Sequence, residues 1–101
     1  MIRKSIVAIA VLVGLGSCLT AQASENQRVR LLASTCVTCH GPNGSGQGAV
    51  PTLAGQDKAY LQEAMMDQRT EKRETTVMTK YMLGFTPQEI GQLAEYFSKL
   101  K

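Results

Sequence analysis

Cys36-Val37-Thr38-Cys39-His40 constrains this chain more than any other stretch. Two thiols three positions apart, followed at once by an imidazole, form the pattern of a c-type haem attachment site. On a helical turn, residues three apart share a face. Both sulfurs can therefore reach the two vinyl groups along one haem edge. His40 then lies under the ring and can donate a nitrogen to the iron. A tethered porphyrin gives a small domain an apolar core and a redox centre together, and much of the rest reads as packing for that plate.

Size argues for such a staple. The chain has 101 residues, enough for one domain at most. Its opening stretch reads as an export leader, residues 1–23. Arg3-Lys4 form a positive start, Ser5 to Leu15 an apolar run, and Ala21-Gln22-Ala23 a cleavage signal. The run is too short to span a bilayer, which takes roughly 20 apolar residues. Leu15-Gly16-Ser17-Cys18 also resembles a lipoprotein box, which would lipidate Cys18 and anchor the protein to a membrane. The ordinary spacer before Ala23 favours cleavage there. Both readings export the protein, and the expected location is the periplasm. The expected domain, 24–101, is small enough to lean on a disulfide, a metal or a cofactor.

Charge and cysteine usage narrow the function. From Ser24 onward there are nine basic and eight acidic residues, with no clustered basic stripe, so nucleic acid is not an expected partner. Only Cys36 and Cys39 remain after processing. A disulfide between them would close too short a loop to stabilise much.

Periodicity gives an all-α chain with a long central loop, about three main helices plus a short one. Ser24 to Cys36 patterns as the first helix, with Ser24 and Gln27 as a capping box. Val29, Leu32 and Cys36 form its apolar face, widened by Leu31 and Ala33. Gly41 to Gly55 is glycine-rich loop, able to wrap a flat ligand. For Gly44–Gly48 a flexible surface loop is the plainer alternative, whereas Pro51 and Leu53 look constrained. The loop lacks the ending and the preceding strand of a phosphate-binding loop. Asp57 can cap a second helix to about Gln68 or Arg73, with Tyr60, Leu61, Ala64, Met65 and Gln68 on one stripe. Thr70 to Thr76 reads as a charged end or loop, and the mixed signs of Glu71, Lys72, Arg73 and Glu74 suit a solvated face. Val77 to Gly84 is a short apolar turn that Gly84 can close in the left-handed conformation. Thr86, Pro87 and Glu89 mark the start of the last helix, running to about Leu100. Its face is Ile90, Leu93, Ala94, Phe97 and Leu100, and Lys99 and Lys101 complement its dipole.

His40 is the only histidine, so a second axial histidine is impossible within one chain. The sixth iron position falls to a methionine, another side chain or nothing. Met65, Met66, Met78 and Met82 remain after export. Met78, between a loop and a short helical turn, is placed to fold over the distal face, and Met82 one turn later could replace it. Most methionines in such a chain are core filler. Histidine–methionine ligation raises the reduction potential and suits electron transfer. An open sixth position would instead suit an enzyme or sensor.

These residues together resemble the class I c-type cytochromes. The likeness runs through the N-terminal helix, the C-x-x-C-H motif, the loop with Pro51, Leu53-Ala54-Gly55-Gln56, Tyr60-Leu61, the distal methionine, and the last helix with Tyr96-Phe97. It is similar to one haem domain of periplasmic di-haem cytochromes and to the haem subunit of flavocytochrome c sulfide dehydrogenase. The resemblance implies a small cytochrome c fold and one covalent haem c on Cys36 and Cys39. It implies His40 and Met78 as axial iron ligands, since in both relatives the methionine lies six residues before a glycine, as Met78 does before Gly84. It implies that Pro51, Leu53 and Tyr60 surround that core, with the Pro51 carbonyl accepting from His40, and that the first and last helices cross near Tyr96 or Phe97. The implied role is a carrier of single electrons rather than an enzyme, although it could be a subunit of an oxidoreductase. Implied partners are redox proteins, a flavoprotein dehydrogenase or a terminal oxidase. The chain departs from the family in lacking a second haem motif and any lysine ring.

Two rival readings of the thiols are weaker. A thioredoxin-like site needs a βαβ setting that the pattern lacks. Zinc needs about four ligands, and this cluster supplies three.

Overall fold

In the computed structural model, which describes residues 24–101, the thiol–imidazole pentapeptide forms the last turns of one continuous helix, α1 (24–40). The leader expected over 1–23, and Cys18 with it, lies outside the described residues. The helix extends past Cys36 to include His40, and Ser24 is already helical rather than capping. Ala33 is buried, with Leu32 and Cys36 packed beside the core. Leu31, expected to widen this face, is 66% exposed. At about 100° per residue it lies roughly 200° from Ala33, on the far side of the helix.

Beyond α1 the chain doubles back. A 3-10 turn spans Pro42–Gly44, and the Gly46 N–H donates to the His40 carbonyl at 2.6 Å. Gly44 is a fixed point, not part of a loose surface loop. Its carbonyl accepts from the N–H groups of Leu53 (2.7 Å) and Ala54 (3.0 Å) and from the Thr52 hydroxyl (3.1 Å). Its φ is +72°, and a Cβ there would stand 2.8 Å from the Phe97 ring. Only glycine fits both demands. Among the described residues the sole extended pairing is an isolated bridge between Gln47 and Val50.

Helix α2 (Lys58–Arg69) begins at Asp57, whose carboxylate accepts from the Tyr60 N–H. Leu61 and Met65 are buried. Tyr60, read from the sequence as part of the core stripe, is 53% exposed instead. It stands one residue before buried Leu61, about 100° around the helix, on a face the core does not cover. Helix α3 (Met78–Leu83) buries Met82. The Thr75 hydroxyl accepts from the Thr79 N–H, which ties down the start of α3. Gly84 has φ −77° and stays right-handed, contrary to the left-handed stop expected of it. The Gly84 and Phe85 N–H groups take the carbonyls of Tyr81 and Met82, so a tightening turn satisfies the helix end without an inverted residue.

Helix α4 (Pro87–Ser98) carries the full capping box: Thr86 accepts from Glu89 N–H and Glu89 accepts from Thr86 N–H. It ends at Ser98, slightly before the expected Leu100. Ile90, Leu93, Ala94 and Phe97 are wholly buried. α2 packs against both α3 and α4. Arg28 to Glu89 (2.9 Å) and Gln92 to Glu25 (2.8 Å) join α1 to α4. Among the described residues the architecture is all-α, four helices around one apolar core.

Candidate haem-binding site

The described helices leave an apolar cleft between them. Cys36, Cys39 and His40 form one wall, from α1. The wall opposite comes from α2 and α3, with Leu61, Met65, Met78 and Met82. The cleft opens to solvent at its mouth, and its mainly apolar lining with a few polar groups is the usual make-up of a small-molecule or cofactor site.

His40 is the one polar residue of the buried set, 6% exposed. Its Nδ1 stands 2.7 Å from the Pro51 carbonyl oxygen. A carbonyl can only accept, so Nδ1 carries the proton. Nε2 is then the nitrogen with the free lone pair, the one that can bind a metal. The pinned loop that brings Pro51 to the ring thus fixes both tautomer and ring orientation.

Cys36 and Cys39 are not joined to each other. Cys36 is half-buried and Cys39 exposed. Burial pushes the Cys36 thiol up, and the neighbouring Thr35 hydroxyl partly offsets this. No group of three or more His, Cys, Asp or Glu among the described residues is gathered to hold a metal ion. Cys36, Cys39 and His40 are a line of donors along one helix face, not a closed cage.

Pro51, Leu53 and Tyr60 all line the same cleft, as do both Met78 and Met82. Met78 is half-buried, whereas Met82 is 1% exposed. Met66 does not line the cleft. Sequence reasoning missed several members of the wall. Val77, just before α3, and Tyr81 on it are half-exposed and line the cleft. Gln68 and Arg73 also face it. Gln68 shares the helical stripe of Leu61 and Met65, a signal that does not separate a cleft-facing side chain from a packed one. Arg73 was placed with the solvated charges.

The cytochrome c family model matches residues 29–101. This chain belongs to the cytochrome c family. A cytochrome c domain carries covalent haem c with its iron and transfers electrons. The chain is 34% identical over 73 residues to the cytochrome subunit of sulfide dehydrogenase of Chlorobaculum tepidum, covering 72% of this chain and 66% of that protein. It is 34% identical to cytochrome c4 of Pseudomonas aeruginosa over 68% of this chain and 35% of that one. Cytochrome c-554(548) of Halomonas halodenitrificans is matched at 34% identity over 63% of this chain and 82% of its own length. The chain thus spans just under two thirds of the first relative and about a third of the second.

The cleft fits haem c. Its lining is mainly apolar, its two thiols sit on one helical face, and the ring nitrogen of His40 not held by Pro51 is available. The thioether sulfurs of α2 and α3 are the soft donors iron accepts opposite an imidazole. No helix among the described residues is long and apolar enough to cross a membrane.

Proposed function

We propose that residues 24–101 form a mono-haem electron carrier of the periplasm, exported by a leader at 1–23. Cys36 and Cys39 would hold the haem by thioether bonds, and His40 and Met78 would bind its iron. When bound, haem c supplies a one-electron couple. The chain's own residues do the rest. Pro51 fixes the imidazole so that Nε2 is presented without reorganisation. Leu53, Leu61, Met65 and Met82 exclude water and keep the local dielectric low, which favours the less charged ferrous state. Thr75 anchors the start of α3, and so the position of Met78. A six-coordinate iron leaves no place for substrate, and the protein carries electrons rather than transforming a small molecule.

The observation that carries this reading is the 2.7 Å contact of His40 with Pro51, in a cleft shared by Cys36, Cys39 and Met78. Carbon monoxide tests it. The ferrous wild-type protein does not bind the gas readily, whereas Met78→Ala does, at a lowered reduction potential. Ready binding by the wild type would mean an open-site haem enzyme or sensor. Binding by Met82→Ala alone would move the ligand one turn later.

The likeness to a sulfide dehydrogenase cytochrome subunit supports a second, narrower reading. In it the chain is the haem subunit of a flavocytochrome-type complex, and its electron donor is a flavoprotein oxidising reduced sulfur. A terminal oxidase is the acceptor that the di-haem likeness suggests.

A further inference from the structure

Asn43 and Gly44 stand in the turn that follows His40. Asn43 is exposed, with φ +56° and ψ +17°. Asparagine is among the few residues with a side chain that tolerate this left-handed backbone. It also brings a reactive pair. Gly44 has no side chain to shield its backbone nitrogen, and that nitrogen can attack the carbonyl carbon of the Asn43 side chain. A bond forms from this carbon to the Gly44 nitrogen, the side-chain amide bond breaks, and the Gly44 proton leaves with the amide as ammonia. Water then opens the five-membered imide. One opening leaves aspartate. The other routes the main chain through the side chain, as isoaspartate. No oxidant or reductant takes part.

The folded turn holds the pair out of reaction. Ring closure needs the Gly44 nitrogen eclipsed with the Asn43 Cβ, and at ψ +17° it stands more than a third of a turn away. The Gly44 N–H is also engaged, donating to the Gly41 carbonyl at 2.9 Å. Rotation must carry Gly44 along, yet Gly44 is buried against the Phe97 ring. Its carbonyl accepts from Leu53, Ala54 and Thr52. The reaction therefore waits on release of this anchor. The same anchor folds back the segment that brings Pro51 to His40. Isoaspartate adds one main-chain carbon before Gly44, so the anchor cannot re-form in register.

We propose that Asn43 is a self-modification site gated by the Gly44 anchor: when the anchor opens, the Gly44 nitrogen displaces the side-chain amide as ammonia, and the isoaspartyl product leaves Pro51 unable to hold His40. The turn is thus a one-way timer on the loop that positions the imidazole. Its redox consequence rests on His40 holding the haem iron. The rate of amide loss does not.

The test incubates the haem-loaded protein in mildly alkaline buffer and follows Asn43 by peptide mapping with isoaspartate detection. Amide loss is slow in the folded wild type and fast in wild type unfolded by guanidinium. Thr52→Val removes one bond from the Gly44 carbonyl and speeds the folded protein about fivefold, the worth of one modest hydrogen bond. Thr86→Ala weakens the α4 cap instead and leaves the rate at the wild-type value. The isolated isoaspartyl form has a shifted reduction potential. An Asn43 that keeps its amide in the unfolded chain, or loses it as fast when folded, overturns the proposal. So does a Thr52→Val rate equal to wild type. Equal acceleration by Thr52→Val and Thr86→Ala also overturns it, since global unfolding rather than the anchor would then set the rate. An isoaspartyl form with the wild-type potential overturns the link to Pro51. A chain that takes up no haem defeats the haem reading alone, and the rates still decide the gate.

Discussion

The imidazole Nδ1 of His40 lies 2.7 Å from the carbonyl oxygen of Pro51, eleven residues further along the chain. The contact needs the intervening segment to fold back. Gly46 N–H on His40 and the bonds gathered by the Gly44 carbonyl do this. A carbonyl partner on Nδ1–H makes the other ring nitrogen a stronger donor. Pro51→Gly loosens the backbone while retaining a carbonyl, so the effect should sit at the low end of outer-ligand losses, about tenfold in the hold on ferric iron. The reduction potential should rise in spectroelectrochemical titration. An unchanged potential would mean the contact orients nothing.

Met78 and Met82 line one cleft but differ in burial, and the difference separates ligand from core. Met82→Ala should cost about 2–5 kcal/mol of stability, as other buried methionine truncations do, and leave the far-red band in place. Met78→Ala should cost less in packing but abolish the band. Denaturant melts and ferric spectra of the two variants check this together.

Gly44 and Gly91 should respond to alanine in opposite ways. At Gly44 the new Cβ meets the Phe97 ring at 2.8 Å and the backbone is left-handed. Overpacking and strain there should each cost about 1–3 kcal/mol. At Gly91, inside α4, the nearest atom is a flexible Gln62 side chain at 3.5 Å. Alanine should stabilise that helix by up to about 1 kcal/mol. Thermal melts of the haem-loaded variants decide both.

The capping box predicts an acid-side loss of stability. Its bond from the Thr86 backbone N–H, opposed by burial and helped by the Thr86 side chain and Arg28, holds the Glu89 carboxyl below its ordinary value. A depressed folded value contributes stability above the unfolded value, near 4.3, and loses it as pH falls through the folded one. The difference in melting temperature between wild type and Glu89→Gln should therefore be full near neutrality and vanish in acid. Thr86→Ala should cost about 1 kcal/mol.

Local signals were legible in the sequence. The cap at Thr86, the cap at Asp57 and the buried face of α4 depend on neighbours within a turn, and each stands where its pattern put it. The sulfur–sulfur–imidazole run was legible for the same reason. Non-local facts were not. Nothing near Gly44 announces the Phe97 ring, and nothing near Arg69 announces the Phe85 carbonyl. Gly84 has the residue type of a left-handed stop, but α3 is a short helix whose end closes on its own carbonyls. Tyr60 and Gln68 carried the right period for a core stripe. The exposure of Tyr60 and the cleft-facing positions of both follow from an open cleft beside α2, which periodicity cannot see.

The central claim is that Cys36 and Cys39 are bonded to a porphyrin whose iron His40 holds. The most direct measurement is the intact mass of residues 24–101, made in a host with haem-ligation machinery and extracted with acidified acetone. The expected result is one haem retained on the chain and no thiol left to titrate. A colourless protein of apo mass with two reactive thiols would contradict it.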